Sequence, residues 1–383
     1  MVKKVGILTA GGDCPGLNAV IRGIVKTAEY AGVETYGFLE GYKGLLENRY
    51  IKLDSKITSG IISKGGTILG SNNKTNIFAI PEKNDLGETI YVDRSVEVVD
   101  RLKKENYDCM IIIGGDGSLK SARDFTRIGL NVIGVPKTID NDVPYTDTTF
   151  GFYTAAEVAT EAVDRIKTTA ESHGRIVVLE VMGRYAGWIA LAAGIAGGAD
   201  TVLIPEIPYD LNAVVNKIKQ RREKGKRYSI IVVAEGAKPI GGGMSIRATV
   251  GDSPDSLRLG GAGDYVAREI EKLTGIEARC TTLGYLQRGG DTGTYDRILS
   301  TEYGSMAMKL ALAGEKNTIS PSFEFSYATL TASSNVEHSN IGKSISLSLF
   351  SISCNVAFFI LSFVCPISIK TLTWSNIYFP MSV

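Results

Sequence analysis

Three times in the first 142 residues, a short apolar run rich in β-branched residues ends in a glycine- or aspartate-rich loop. Val5 to Ala10 leads into Gly11-Gly12-Asp13-Cys14-Pro15-Gly16, Cys109 to Ile113 into Gly114-Gly115-Asp116-Gly117-Ser118, and Val132 to Val135 into Pro136-Lys137-Thr138-Ile139-Asp140-Asn141-Asp142. Runs of this length and content read as buried strands. Ile176 to Val181, Thr201 to Ile204, Ile230 to Ala234 and Cys280 to Leu283 read the same way. Between them, Leu17 to Tyr30, Ser118 to Ile128, Thr154 to Ala170, Leu211 to Lys224 and Gly263 to Leu273 carry apolar residues at helical spacing. The alternation predicts an α/β fold of doubly wound, Rossmann-like parallel sheets with helices on both faces. Ligands in such folds sit at the carboxyl ends of the strands. All three loops fall there, which implies one phosphate-rich crevice.

Composition narrows the function classes. The 383 residues hold 42 Lys+Arg and 41 Asp+Glu, a net charge of +1, so bulk electrostatics favour neither nucleic acid nor a membrane surface as partner. Five cysteines, widely spaced and without a CxxC pair, argue against a disulfide framework and a zinc site and for a reducing, cytoplasmic compartment. No signal-like apolar run follows Met1. From Asn317 on the character changes: four of the last 67 residues are charged against 79 of the first 316, and fifteen are serine. Ser344 to Ile369 has no charge over 26 residues, but seven of them are serine and no positive cluster adjoins. The tail at 317–383 therefore reads as a frame-shifted or read-through extension outside the enzyme core, with an anchor as the alternative.

The loops carry the chemistry. In Gly114 to Ser118, glycines let backbone N–H groups approach phosphate oxygens, a helix start adds its positive end, and Asp116 can hold Mg²⁺. The same pentapeptide also reads as a tight strand-to-helix turn with an aspartate cap. Neither GxxxxGK[ST] nor GxGxxG is present. Asp140 and Asp142 face one crevice if their segment is extended, one taking a proton from a hydroxyl while the other orients it or assists a metal. Plain turn chemistry is the competing reading. Arg175, Arg184, Arg279 and Arg288 suit a sugar phosphate, though each alone also reads as a surface ion pair. His173, the one histidine before the tail, reads as an exposed loop residue, which argues against a histidine triad.

Taken together, Gly11 to Asn18, Gly114 to Ser118, Pro136 to Asp142, Val181-Met182-Gly183-Arg184 and Leu286-Gln287-Arg288-Gly289-Gly290 resemble the 6-phosphofructokinase family in order and spacing, from residue 1 to about 313. The resemblance implies two domains with the active site in the cleft between them. Residues 1–151 with 288–302 would bind nucleotide, and 152–287 with 303–316 the sugar phosphate. It implies phosphoryl transfer from ATP, with Mg²⁺, to the 1-hydroxyl of fructose 6-phosphate, giving fructose 1,6-bisphosphate and ADP, the committing step of glycolysis. A cytoplasmic, allosteric homodimer or homotetramer with no nucleic-acid or membrane partner is implied as well.

Carried over by position, Asp140 matches the general base, Asp142 its supporting carboxylate and Asp116 the Mg²⁺-linked aspartate. Thr138 lies beside the transferring phosphoryl group. Gly11, Gly115, Gly117 and Ser118 line the donor site, with Lys74 within reach of the phosphates. Met182, Gly183 and Arg184 match the segment that touches the sugar, Arg184 near the transition-state charge, and Glu235 matches a sugar-hydroxyl acceptor. Arg279 and Arg288 match 6-phosphate clamps. Tyr285 stands beside them where many relatives carry histidine. Arg175 resembles the arginine that reaches this phosphate from a neighbouring subunit.

Two positions bear on the donor. Lys137 stands where common bacterial ATP enzymes have glycine, a feature shared by pyrophosphate-dependent members and by an ATP-using subgroup with an insertion like Lys238 to Leu259. Pyrophosphate users typically carry aspartate at the position of Gly117, whereas glycine leaves room for a larger donor, so ATP is expected. A pyrophosphate-dependent phosphotransferase and a non-catalytic regulatory homologue are the alternatives, the second opposed by the intact Asp116, Asp140 and Asp142. Lipid and NAD kinases share a GGDG-type loop but leave Pro136 to Asp142 and the arginine set unexplained.

Overall fold

The computed structural model of the chain describes residues 2–144, 146–249 and 256–320. In chain order the first half contains β1 (Lys4–Thr9), α1 (Leu17–Tyr30), β2 (Glu34–Phe38), α2 (Tyr42–Glu47), β3 (Tyr50–Leu53), β4 (Ile80–Lys83), β5 (Thr89–Val92), α3 (Ser95–Lys104), β6 (Cys109–Gly114), α4 (Asp116–Arg127) and β7 (Val132–Pro136). The second half continues with α5 (Phe152–His173), β8 (Ile176–Val181), α6 (Trp188–Ala196), β9 (Thr201–Leu203), α7 (Leu211–Glu223), β10 (Ser229–Ala234), β11 (Ile246–Thr249) and β12 (Leu257–Leu259). It closes with α8 (Ala262–Thr274), β13 (Ala278–Thr282), a 3₁₀ turn at Gly284–Gln287, α9 (Thr294–Ala313) and β14 (Thr318–Ile319).

Two sheets carry the site. The first has the order β14-β7-β6-β1-β2-β3 and is parallel except for β3, which runs antiparallel to β2; the second, β13-β8-β10-β9, is parallel throughout. Strand alternation sends neighbouring residues to opposite faces. Ile7 joins a core with Leu17, Val20, Ile21 and Ile24 of α1, while Leu8 packs with Val98 and Val99 of α3 and Phe125 of α4. The second sheet does the same: Val177 and Leu179 enter the first core with α5, and Ile176 and Val178 pack on Val214 of α7 and Val266 of α8. The first core thus runs unbroken from one sheet to the other, and the α/β reading holds.

Three expectations are corrected. Cys280 to Leu283 reads as a buried strand, but its strand residues end an edge strand, β13, paired with β8 and packed by α8 on one face, in which Arg279, Thr281 and Thr282 are exposed. The expected placing of 303–316 with the sugar-phosphate part does not hold, because Thr294–Ala313 is a single helix lying along α1. The two backbones come close enough that a Cβ on Gly23 would meet the Thr301 carbonyl at 2.7 Å and one on Gly304 the Val20 carbonyl at 2.3 Å. The core also does not end at 316. Thr318 and Ile319 pair with Ile133 and Gly134 of β7, and buried Ser320 donates its hydroxyl to the Tyr303 carbonyl at 3.0 Å. The rest of the tail, including Ser344 to Ile369, lies outside the described residues. Among those that are described, no helix is long and apolar enough to cross a membrane.

Candidate active site

The carboxyl ends of β1, β6 and β7 in the first sheet and of β8 and β10 in the second, with the 3₁₀ turn after β13, bring the predicted loops to one crevice. The floor is built on β1. Thr9 donates its hydroxyl to the Gly70 carbonyl at 2.8 Å, and fully buried Asn18 of α1 holds the 64–68 segment through Lys64 O at 2.9 Å and the Ile68 amide at 2.8 Å. Ser71 then donates to the Gly11 carbonyl, which brings exposed Lys74 to the rim. Gly11 lies against its neighbours: a Cβ there would sit 3.3 Å from Ser118 Oγ and 3.5 Å from Lys137 Nζ.

α4 begins at Asp116 rather than at Ser118, with Gly115 in the extended conformation as its N-terminal cap and no side chain capping it. The first-turn N–H groups of Asp116, Gly117 and Ser118 therefore remain available for an anion. A Cβ on Gly117 would meet no other heavy atom within 4 Å. Asp116 makes an exposed ion pair with Lys120 at 2.7 Å.

Asp140 and Asp142 do not lie on an extended segment. Asn141 between them takes the left-handed conformation at φ 53°, and the turn it makes keeps both carboxylates within each other's field. Burial, reinforced by the negative charge of Asp142, pushes the Asp140 carboxyl up to about 6 against the pull of Lys137, Arg184 and Arg288. Asp142 is exposed at the mouth yet sits among enough protein that desolvation raises it too, with Asp116 adding to the effect. The Asp140 amide donates to Thr138 Oγ1 at 3.1 Å. Lys137, 5% exposed, gives a hydrogen bond to the Gly12 carbonyl at 2.5 Å, and burial lowers its ammonium below the usual lysine range.

Across the crevice, Met182 packs at the edge of the core, and Gly183 (φ 139°) and Arg184 (φ 55°) make a tight turn. The Arg184 amide donates to Glu235 Oε1 at 3.0 Å. Burial pushes the Glu235 carboxyl up to about 7, opposed by that donor and reinforced by the charge of Asp140. Arg288 reaches the first sheet: Nε donates to the Asp13 carbonyl at 3.0 Å, Nη2 pairs with Asp13 Oδ1 at 2.7 Å, and the guanidinium lies 5.5 Å from the ring centre of Tyr285. Tyr285 itself is 74% exposed.

Two predicted residues are not in this crevice. Arg175 precedes β8 and Arg279 is the second residue of β13, so both stand at the amino end of the second sheet. They share Glu277, Arg175 Nε at 2.7 Å from Oε2 and Arg279 Nη2 at 2.6 Å from Oε1. Arg279 thus belongs with Arg175, not with Arg288, although only nine positions separate it from Arg288 in sequence. His173 is exposed, as expected, but is the last residue of α5 rather than a loop residue, its ring nitrogen 3.0 Å from the Thr169 carbonyl. Asp13 and Asn18 entered the sequence reading only as letters of a motif. Asn18 is a fully buried polar residue inside the apolar stripe of α1, which is its signal, whereas exposed Asp13 is marked only by its place in the glycine-rich loop.

Magnesium fits the donor set. Mg²⁺ is commonly held by one or two carboxylates and completed by substrate phosphates and water. Asp116 and Asp142 offer two such oxygens within each other's field, and no cage of three or more His, Cys, Asp or Glu forms among the described residues.

A family model described as "Phosphofructokinase" matches residues 4–311. The chain belongs to the phosphofructokinase family. It is 57% identical over 312 residues to the ATP-dependent 6-phosphofructokinase 2 of Clostridium perfringens, covering 81% of this chain and 85% of that one. With the ATP-dependent 6-phosphofructokinase of Chloroflexus aurantiacus it shares 48% over 313 residues, 82% of this chain and 85% of the other. Among solved structures, phosphofructokinase from Saccharomyces cerevisiae superposes with a TM-score of 0.68 at 32% identity, over 81% of this chain and 42% of that longer one. These phosphofructokinases share the α/β architecture described above.

Proposed function

We propose that this chain is an ATP-dependent 6-phosphofructokinase, transferring the terminal phosphoryl group of ATP to the 1-hydroxyl of fructose 6-phosphate. The observation that carries this reading is Asp140, a carboxyl set near 6 by its surroundings and flanked by a helix N-terminus on one side and the Met182-Gly183-Arg184 turn on the other. A base with that affinity is ionised at neutral pH and still takes a proton effectively. The donor phosphates lie along Gly11 and the amides of Gly115 to Ser118, with Lys74 and Lys137 supplying positive charge. Asp116 and Asp142 would hold Mg²⁺, which when bound would supply charge neutralisation on the donor phosphates. Asp140 takes the proton of the sugar hydroxyl, Asp142 supports it, and Thr138 lies beside the transferring group. Arg184 meets the charge that develops in the transition state, where positioning and electrostatics supply most of the catalysis.

Met182, Gly183 and Glu235 hold the sugar, and Arg288 with Tyr285 meets its 6-phosphate from the same chain. Arg175 and Arg279, facing away at the amino end of the second sheet, act together in the site of a neighbouring copy, so the active form is a homo-oligomer. The unpaired thiols of Cys14, Cys109 and Cys280 suit a cytoplasmic location. ATP is favoured as donor by the open space at Gly117 and by the ATP-dependent relatives. A coupled assay of the purified protein with fructose 6-phosphate, ATP in one arm and pyrophosphate in the other, tests this. Equal or greater turnover with pyrophosphate overturns it.

A further inference from the structure

The two carboxylates of the crevice are separated by one residue, and that residue is held by a side chain eight positions further on. Asn141 adopts φ 53°, a conformation that asparagine tolerates better than most residues with a Cβ. Its Oδ1 accepts the Thr149 amide at 2.8 Å and lies 3.3 Å from Thr149 Oγ1, while its Nδ2 reaches the Asp147 carbonyl at 3.5 Å. Thr149, 0% exposed, donates its hydroxyl to the Thr138 carbonyl at 2.7 Å. The next residue, Phe150, bridges back to Lys137 in the parallel sense. Every residue from Lys137 to Asp142 that the reaction would use is thus tied, directly or through one neighbour, to Thr149 and Phe150 at the entrance to α5.

We infer that Asn141 and Thr149 form a clamp that fixes the separation and direction of the Asp140 and Asp142 carboxylates, which makes Thr149 a positioning residue for phosphoryl transfer. Two ionised carboxylates so close repel, and a free loop would relax by turning one of them out to water. The Asn141 turn prevents this only while its side chain has an acceptor role to fill: the Thr149 amide supplies the donor, and the Thr149 hydroxyl ties Thr149 itself to the Thr138 carbonyl. The groups that face Asp140 are Asp142 from its own loop, Lys137 from the end of β7, Arg184 and Glu235 from the second sheet, and Arg288 from the 3₁₀ turn. None of them restrains Asn141, so the clamp is the element that sets the spacing. The inference rests on Asp140 acting as the base.

The test uses Thr149→Val, which keeps the bulk and removes the hydroxyl, with Thr149→Ser as the conservative rescue and Asp140→Asn as the parallel control. Thr149→Val is expected to lower kcat roughly tenfold to a hundredfold, as misplacement of a reacting group by about an ångström does. The KM values for ATP and fructose 6-phosphate should stay within about threefold, because ground-state binding is untouched. Thr149→Ser should recover most of kcat. If Thr149→Val unfolds without cooperativity, Asn141→Gly, which keeps the left-handed backbone and removes the acceptor, decides on the same readouts. An unchanged kcat, a loss carried by KM, or failure of Thr149→Ser to rescue overturns the clamp. Retained kcat in Asp140→Asn instead overturns the base, and so separates failure of the underlying reading from failure of the clamp.

Discussion

Charged side chains gather at both ends of the second sheet, solvated at one end and largely buried at the other. At the amino end, Arg175 and Arg279 each take one oxygen of Glu277, Glu271 stands 3.5 Å from Arg279, and the groups are substantially exposed. At the carboxyl end, burial pushes the Asp140 and Glu235 carboxyls upward, Glu235 further by the charge of Asp140, and pushes Lys137 downward. A neutralised, solvated cluster has little to gain from its own surroundings and is free to serve a ligand presented by another molecule. A buried cluster holds its groups away from their ordinary titration, and perturbed titration of this kind concentrates at functional sites.

The sharpest break in that contrast is Asp140→Asn. Removing the base should lower kcat by roughly 10² to 10⁴ with fructose 6-phosphate KM little changed. The same substitution should raise the melting temperature at neutral pH. The sign follows from linkage: a carboxyl near 6 in the folded chain and near its ordinary 3.8 once unfolded holds an extra proton when folded, so it disfavours folding above about 6 and ceases to do so below about 4. Steady-state kinetics beside thermal melts at pH 5 and 8 check both halves. A variant that loses activity and also melts lower at pH 8 contradicts the picture of a strained site.

Next comes the quiet end. Arg175→Ala and Arg279→Ala should each raise the KM for fructose 6-phosphate roughly tenfold to a hundredfold, the worth of a charge-assisted contact to phosphate, with a smaller effect on kcat. Co-refolding either variant with Asp140→Asn should restore part of the activity, because a hybrid oligomer can assemble one site with every residue intact. No recovery in demonstrated hybrids places both arginines in their own chain's site and removes the contrast between the two ends.

How far the molecule is legible from its sequence depends on where the physics is local. The strands that carry the loops are short runs of Val, Ile and Leu buried on both faces, and Leu17 to Tyr30 has a clear apolar stripe, so those elements and the α/β fold can be read directly. Trp188–Ala196 is small and apolar all round and shows no stripe to read. Glu34–Phe38 mixes charge, hydroxyl and glycine and becomes a strand only by pairing between β1 and β3. For the site, residues adjacent in a loop stay adjacent in space. Arg279 does not stay with Arg288, because a parallel strand separates its two ends by about 3.3 Å per residue and the chain between them runs the length of β13. The turn at Asn141 is hidden for a related reason, since its cause is a threonine eight residues away.

A smaller effect probes the crevice from its donor side. Gly117→Asp adds a side chain where nothing now stands within 4 Å, in the first turn of α4 and beside Asp116. It should lower kcat/KM for ATP about tenfold through steric and like-charge conflict with the donor, and leave the melting temperature nearly unchanged. An equal loss of stability would mean that the space is structural rather than reserved for a ligand.

The smallest effect concerns the scaffold under Asp140. β7 carries the Lys137 to Asp142 loop, and among the described residues its outer edge is paired by Thr318 and Ile319, which composition alone assigns to an unrelated tail. Ser320 closes that edge: its amide donates to the Gly134 carbonyl at 2.8 Å, and its buried hydroxyl donates to the Tyr303 carbonyl. Ser320→Ala removes the second bond alone and should cost about 1 kcal/mol, the usual net worth of a buried hydrogen bond, with kcat within about twofold of the parent. Urea unfolding of the full chain measures it. A cost of that size places the last strand of the first sheet within the cooperative unit that holds the crevice, whereas no cost at all would put the end of that unit back at Ala313, where the long helix stops.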